Sequence, residues 1–350
     1  MSLILPAILR TFRAHAWFLS IVFGFAAAGF IINTLLHAPG RPSLSLYTSL
    51  VARYTALFLG TFLLAVHPVY VMVFKRPARL TRYILTDWRN KYLKIDRIIV
   101  ALPILLFMPV FVSVFTWFKY MIPAVNPYGW DITFTEWDRA MHGGYYPWEL
   151  LQPVLGYPLV TSVVNFFYQL WFFVLYAVLV WQAFSLRDLR LRMQFFLTFS
   201  LSFILLGTIA ATLLSSAGPC YFGLVTNMTD PFQPLMDYLR SADTAFPVWS
   251  LDVQDMLWER YKAGGLDVGN GISAMPSMHV SSAYLFALVG WRTNRAAGIA
   301  LTIFLLLIII GSVHLAWHYA VDAYVAIAGT WIIWRGVDLL LRRDSVFREV

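Results

Sequence analysis

Eight apolar runs, most of them long enough to cross a bilayer, constrain this chain more than any other feature. They fall near residues 16–36, 48–74, 98–118, 159–184, 193–217, 276–291, 297–313 and 318–341, the sixth and seventh being the shortest. Hydrocarbon about 30 Å thick takes about 20 residues of helix to span. The fold expected is therefore an all-α polytopic membrane protein with about eight transmembrane helices. Composition agrees. Of 350 residues, 60% are hydrophobic, 17% aromatic and only 13% charged, which is outside the range of soluble domains. The first run is long enough to span and shows no small-residue cleavage pattern, so it reads as the first span and not as a removed signal. A single cysteine, Cys220, excludes an internal disulfide and any cysteine-based metal cluster.

The net charge of +8 is distributed by membrane side and is not a nucleic-acid signature. Nineteen of the 26 Lys and Arg lie at alternate ends of the runs: Arg10 and Arg13, the block from Lys75 to Arg97, the group from Arg187 to Arg192, Arg292 and Arg295, and the group from Arg335 to Arg348. The other seven are Arg41, Arg53, Lys119, Arg139, Arg240, Arg260 and Lys262. The positive-inside rule puts the richer set, and both termini, in the cytoplasm. Residues 76–97 are too basic to span and read either as a surface helix on anionic lipid or as a plain cytoplasmic loop. Two long outer loops, 119–158 and 217–275, carry aromatic residues with Pro and Gly punctuation, which predicts ordered segments in the interface. Loops of this length are usually functional and could cover the outer ends of the later spans.

The ionisable residues gather under those loops. His279 sits just inside the sixth run, after Pro276 and Ser277, while His314, His318 and Asp322 bracket the junction of the seventh and eighth. His318 and Asp322, four residues apart, share one face of a helix. Charged or titratable groups at the membrane edge are costly and point to function. A carboxylate that holds an imidazole fixes its tautomer and stabilises the charge it acquires as nucleophile or base. A second imidazole can protonate a leaving oxygen, and a helix N-terminus at Pro276–His279 favours an anion. This set suits metal-independent phosphoryl transfer through a phospho-histidine, with no cofactor. Other readings stay open at this point. His314 is as well suited to capping its helix, and His and Asp side chains are also metal ligands. The acidic run Asp131, Glu136 and Asp138 could serve a glycosyltransferase or be a solvated loop face. A transporter with a His/Asp proton relay is disfavoured by the position at one membrane face and by the lack of an inverted repeat.

The stretches Pro276-Ser277-Met278-His279 and His318-Tyr319-Ala320-Val321-Asp322 resemble the second and third motifs, PSGH and SRxxxxxHxxxD, of the type-2 phosphatidic acid phosphatase superfamily. The resemblance covers roughly residues 194–341. It implies a six-helix phosphatase-like core in residues 98–350, preceded by two N-terminal spans and a basic segment in 1–97. It also implies His318 as nucleophile, Asp322 as its orienting group, His279 as general acid, and Ser277 as a phosphate donor.

The departures from the family pattern point further. Met278 stands for the Gly of PSGH, Gly311-Ser312 stand for the SR pair, and no KxxxxxxRP motif precedes them; Arg76-Pro77 has Val69 at the Lys position. Arg260 and Lys262 are candidates to replace the missing phosphate-binding cation, with Arg240 a further possibility. His314, Tyr319, and Tyr221 of the Gly218–Phe222 segment complete the predicted substrate contacts. With a thin cationic cradle, the sequence is most similar to the inositol phosphorylceramide synthase and sphingomyelin synthase branch. Its members resemble phosphatases that transfer a headgroup to a lipid alcohol, and their phosphodiester substrates carry one negative charge on phosphorus. The stretch Trp137–Trp148 is similar to bacterial members of that branch. The expected partners are a phospholipid donor and a lipid-alcohol acceptor in a bacterial inner membrane, with the site on the periplasmic face. A lipid or polyprenyl phosphate phosphatase is the alternative.

Overall fold

The computed structural model describes residues 4–36, 43–264 and 271–347. Arg41, Arg348 and the 265–270 part of the second long loop, on which sequence expectations also fell, lie outside the described residues. All the regular secondary structure described is helical. Seven helices are long and apolar enough to cross a membrane, so the chain is an all-α integral membrane protein.

The chain begins with α1 (Ile4–Ala14), a short helix that the apolar-run analysis did not isolate, and turns at His15 into α2 (Ala16–Leu36). The second span, α3 (Leu44–Lys75), ends where Arg76 adopts a left-handed conformation (φ 46°). The basic segment then forms α4 (Leu80–Asp87). Next comes α5 (Ile95–Val125), which carries Pro103, Pro109 and Pro123 within its length. Inside a membrane bundle neighbouring helices tolerate such residues. The first long loop contains α6 (Asp131–Met141) and α7 (Pro147–Leu155). The span α8 (Pro158–Ala183) is broken at Leu170, and α9 (Leu189–Leu213) follows, with a π-helical stretch at Leu205–Ala210. The second long loop contains α10 (Gln233–Asp243) and α11 (Trp249–Ala263). Three helices close the chain: α12 (Met278–Thr293), α13 (Arg295–His314) and α14 (Ala320–Arg343).

The sixth expected span is the one that differs. At 16 residues, α12 is shorter than the seven spanning helices. It is packed inside the bundle, against α13, α14, α9 and the second half of α8. Its buried positions run almost continuously from Val280 to Gly290, so protein, and not lipid, surrounds it. The core beside it is aromatic: Phe195, Phe199 and Phe203 on α9 stack along one face, and Phe286 of α12 meets Phe195 at 6.5 Å. Large apolar side chains on the outside, such as Phe30, Leu64 and Phe74, are more than 70% exposed, an arrangement suited to lipid and costly in water. The long loops fold back on the end of the bundle where α5, α9, α13 and the starts of α12 and α14 meet. Asn126 Nδ2 donates to the Thr212 carbonyl at 2.8 Å, and the Gly129 and Trp130 N–H groups donate to the Ser215 carbonyl.

Candidate active site

At this end of the bundle the turn from α13 into α14 fixes one histidine. The Ala316 N–H donates to the Val313 carbonyl and the Trp317 N–H to the Ser312 carbonyl, the double closure that ends many helices with a left-handed residue. Here that residue is Ala316 (φ 57°) instead of the usual glycine. Gly218 approaches the turn so closely that a Cβ on it would lie 2.8 Å from the Trp317 carbonyl oxygen, and its own φ is 103°. The chain must be glycine there.

Two carboxylates from α6 hold the adjoining backbone. Asp138, buried, accepts from the Ala320 and Val321 N–H groups at 2.7 and 2.8 Å. Asp131, also buried, accepts from the Ala217 and Gly218 N–H groups at 3.0 and 2.8 Å and from the Tyr319 hydroxyl at 2.9 Å. Their spacing of seven residues, two helical turns, puts both on one face, while Glu136 points away and is exposed. The first N–H groups of a helix lack intrahelical partners, and the helix dipole favours an anion beside them. Burial nevertheless raises the Asp138 carboxyl to about 6, against the lowering effect of its two backbone donors; the nearby Asp322 raises it further.

The result is a fixed imidazole. His318 Nδ1 lies 2.9 Å from the Ala274 carbonyl and 3.1 Å from Asp322 Oδ2. Both neighbours are acceptors, so Nδ1 carries the proton and Nε2 keeps its lone pair. Asp322 Oδ2 also accepts from the Tyr319 N–H, and its Oδ1 is buried without a partner among the described residues. The ring of His279 crosses that of His318 with centroids 6.0 Å apart. It lies over Tyr168 at 5.0 Å and against Trp171 at 4.1 Å. Neither ring nitrogen of His279 has a hydrogen-bond partner among the described residues. Ser277 is the N-cap of α12, its hydroxyl oxygen accepting from the Val280 N–H, and its own N–H donates to the Asp322 carbonyl at 3.3 Å. The start of α12 and the start of α14 are thereby locked together.

Other expected residues are placed elsewhere or are already engaged. His314 Nε2 bonds to the Thr161 hydroxyl at 2.9 Å, and Thr161 in turn bonds to Tyr238. Its ring belongs to the α8–α10 contact and not to the His279–His318 pair. Tyr319 donates its hydroxyl proton to Asp131, and Tyr221 donates its own to the Gln254 carbonyl at 2.9 Å. Arg240 ends α10. Arg260 and Lys262 stand in the last turn of α11, where Lys262, exposed, pairs with Glu259 at 2.7 Å. Among the described residues, no group of three or more His, Cys, Asp and Glu side chains is placed to hold a metal ion.

A cation at this end of the bundle is Lys119 of α5, half-buried, one helical turn after Phe115, which lies with Met278 against Gly207. It has no ion-pair or hydrogen-bond partner among the described residues. The sequence held a signal for it. Lys119 opens the stretch KYMIPAVNP, which has the spacing of KxxxxxxRP with Asn126 in the Arg position. Asn126 bonds to backbone carbonyls of α9. Buried Ser312, at the position of the other Arg, lends its carbonyl to the turn before His318. One cation is left where the full pattern would supply three.

Residues 132–336 match the PAP2 superfamily. No curated protein and no solved structure matches the chain. The matched region contains Asp138, both histidines and Asp322; Asp131 stands one residue before it, and α1–α5 precede it. The match supports an enzyme of the lipid phosphatase or phosphotransferase type acting on membrane lipids. The chain belongs to the PAP2 superfamily.

Proposed function

We propose that the protein is a membrane phosphotransferase that moves a phosphoryl-linked headgroup, of the phosphoinositol type, from a glycerophospholipid to a lipid alcohol. The observation that carries this reading is the hold on His318, whose Nδ1–H faces two acceptors and whose Nε2 is left to attack. In the first step the Nε2 lone pair forms a bond to phosphorus, and the bond from phosphorus to the glyceride oxygen breaks. His279 gives that oxygen a proton. The positive charge on the phosphorylated imidazole is balanced by Asp322. In the second step the acceptor hydroxyl gives its proton to His279 and attacks phosphorus, and the P–N bond breaks. Lys119 steadies the non-bridging oxygens, where charge is concentrated during transfer.

A single cation suits a phosphodiester, with one charge on phosphorus, better than a monoester with nearly two. That favours headgroup transfer, as in the inositol phosphorylceramide and sphingomyelin synthase branch, over simple hydrolysis. The catalytic unit is residues 98–350. The bias of Lys and Arg puts the site on the outer face of a bacterial inner membrane, with both termini cytoplasmic.

Product analysis tests the reading. Purified protein in mixed micelles with chelator is given labelled phosphatidylinositol, other glycerophospholipids, or phosphatidic acid, with and without ceramide or diacylglycerol. A new phosphodiester lipid that requires both donor and acceptor is the expected product, and His318→Ala abolishes it while the protein stays folded. Free phosphate from phosphatidic acid with no acceptor makes the protein a phosphatase. Turnover retained by His318→Ala removes the phospho-histidine.

A further inference from the structure

An apolar cavity of about 590 Å³ lies between α2, α5 and the π-helical part of α9, lined by residues within 25–35, 118–125 and 204–213. Its size is that of a ligand site, typically about 300–1,000 Å³. The lining is hydrocarbon, with Ala28, Phe118, Ile122 and Ile209 among its walls. The two hydroxyls in it are already engaged, Thr208 donating to the Phe203 carbonyl and Thr212 to the Thr208 carbonyl. Nothing there can recognise a polar group, and an unfilled apolar space of this size forfeits many contacts. In a membrane, hydrocarbon fills it.

Its position says whose hydrocarbon. Phe118 and Ile122 flank Lys119 on α5, so the cavity opens beside that cation. The residue before Thr208 of the lining turns toward the site: a Cβ on Gly207, in the π-helical stretch, would meet Met278 Sδ at 3.1 Å and Phe115 of α5 at 2.9 Å, and Met278 precedes His279. Single-turn π segments inside helices are frequent at functional sites. A phospholipid with its anionic phosphate at Lys119 and His318 would have one chain led directly into this cavity. We propose that the cavity is the acyl-chain site for an anionic phospholipid, and that α2, which lies outside the family-matched region, supplies one wall of it. The assignment rests on the reading of the site under Proposed function for the place of the headgroup, and not on turnover.

The test uses the full chain in phosphatidylcholine nanodiscs containing a small fraction of phosphatidylinositol with a photoactivatable diazirine at the end of one chain. After illumination the labelled peptides are mapped by mass spectrometry. Label is expected in 25–35, 118–125 and 204–213, and is displaced by excess unlabelled phosphatidylinositol or phosphatidic acid. Ala28→Trp, which fills the cavity from α2, and Ile209→Trp, which fills it from α9, each lower it by about tenfold, as excluding about two methylenes would. Label spread evenly over lipid-facing positions such as Leu64, Phe74 and Leu106, or indifferent to competitor and to both Trp variants, overturns the proposal. Displaceable labelling of the cavity with no lipid turned over would leave the acyl site standing and remove the transferase; turnover with unconfined label would do the reverse.

Discussion

Two basic side chains inside the bundle show how differently a buried charge can be used. Arg192 of α9, fully buried, has its guanidinium enclosed by acceptors: the Gln182, Ala183 and Val100 carbonyls and His15 Nε2. His15, itself bonded through Nδ1 to the Thr11 carbonyl, joins α1 to α2. Arg192 therefore ties the N-terminal helices to the ends of α5 and α8. Lys119 of α5, near the other end of the bundle and one turn after Phe115, which lies with Met278 against Gly207, has no partner among the described residues. Buried polar groups in folded proteins are nearly always satisfied, and the exceptions ask for a reason. Arg192 holds the fold together. Lys119 is the residue we propose meets the phosphate of the substrate.

Substitutions at the two residues should accordingly separate stability from activity. Arg192→Leu leaves three carbonyls and an imidazole buried without their donor, and each buried acceptor left unsatisfied costs about 1–3 kcal/mol. Thermal unfolding in detergent should show a large drop for this variant, with poor recovery of protein. Lys119→Met should leave the unfolding temperature unchanged or raise it, because an unpaired half-buried charge is lost. Its turnover should fall by about 100-fold, the usual scale for one lost stabilising donor. If Lys119→Met unfolds like Arg192→Leu, the contrast between them is wrong.

A smaller effect belongs to the carboxylates that place the site. Asp138→Asn keeps one acceptor for the Ala320 and Val321 N–H groups and sets an amide N–H₂ against the other. A buried donor left unpaired costs about 1–3 kcal/mol. Slower turnover is expected with a modest loss of stability, and activity and unfolding measured on the same preparation would report both. The smallest effect is in pH. The folded Asp138 carboxyl, near 6, is above the ordinary carboxyl value of 3.8, so its protonation favours the folded state. Its contribution to stability is complete below about 3.8 and is lost as pH rises through about 6. The difference in unfolding temperature between wild type and Asp138→Asn should therefore widen in favour of wild type as pH falls from 7 to 4. A flat difference would mean that Asp138 is not strained by burial.

Much of the architecture was readable because apolar length is a local property. The runs at 16–36, 297–313 and 318–341 match α2, α13 and α14 within a few residues. The run at 276–291 became a buried helix and not a lipid-facing span, since hydropathy cannot distinguish lipid from a surrounding shell of aromatic side chains. The motifs around His279 and His318 located the pair, and their i,i+4 spacing correctly joined His318 to Asp322. Asp131 and Asp138 were visible only as acids in a loop. Their bonds reach across 86 to 188 positions in the chain, a distance no periodicity reports. Lys119 was passed over because its motif lacked the arginine that usually marks it.

The sequence by itself determined that the chain is an α-helical membrane protein, which residues could do chemistry, and that His318 and Asp322 meet. Each follows from composition or from spacing within one helix. Only the tertiary structure decided which polar groups are already satisfied and which are left over. It gave Tyr319, Tyr221 and His314 to internal hydrogen bonds, made two loop acids into anchors for the start of α14 and the Gly218 turn, and left Lys119 without a partner among the described residues. Satisfaction of a buried polar group depends on what every packed neighbour offers it, and those neighbours come from distant parts of the chain.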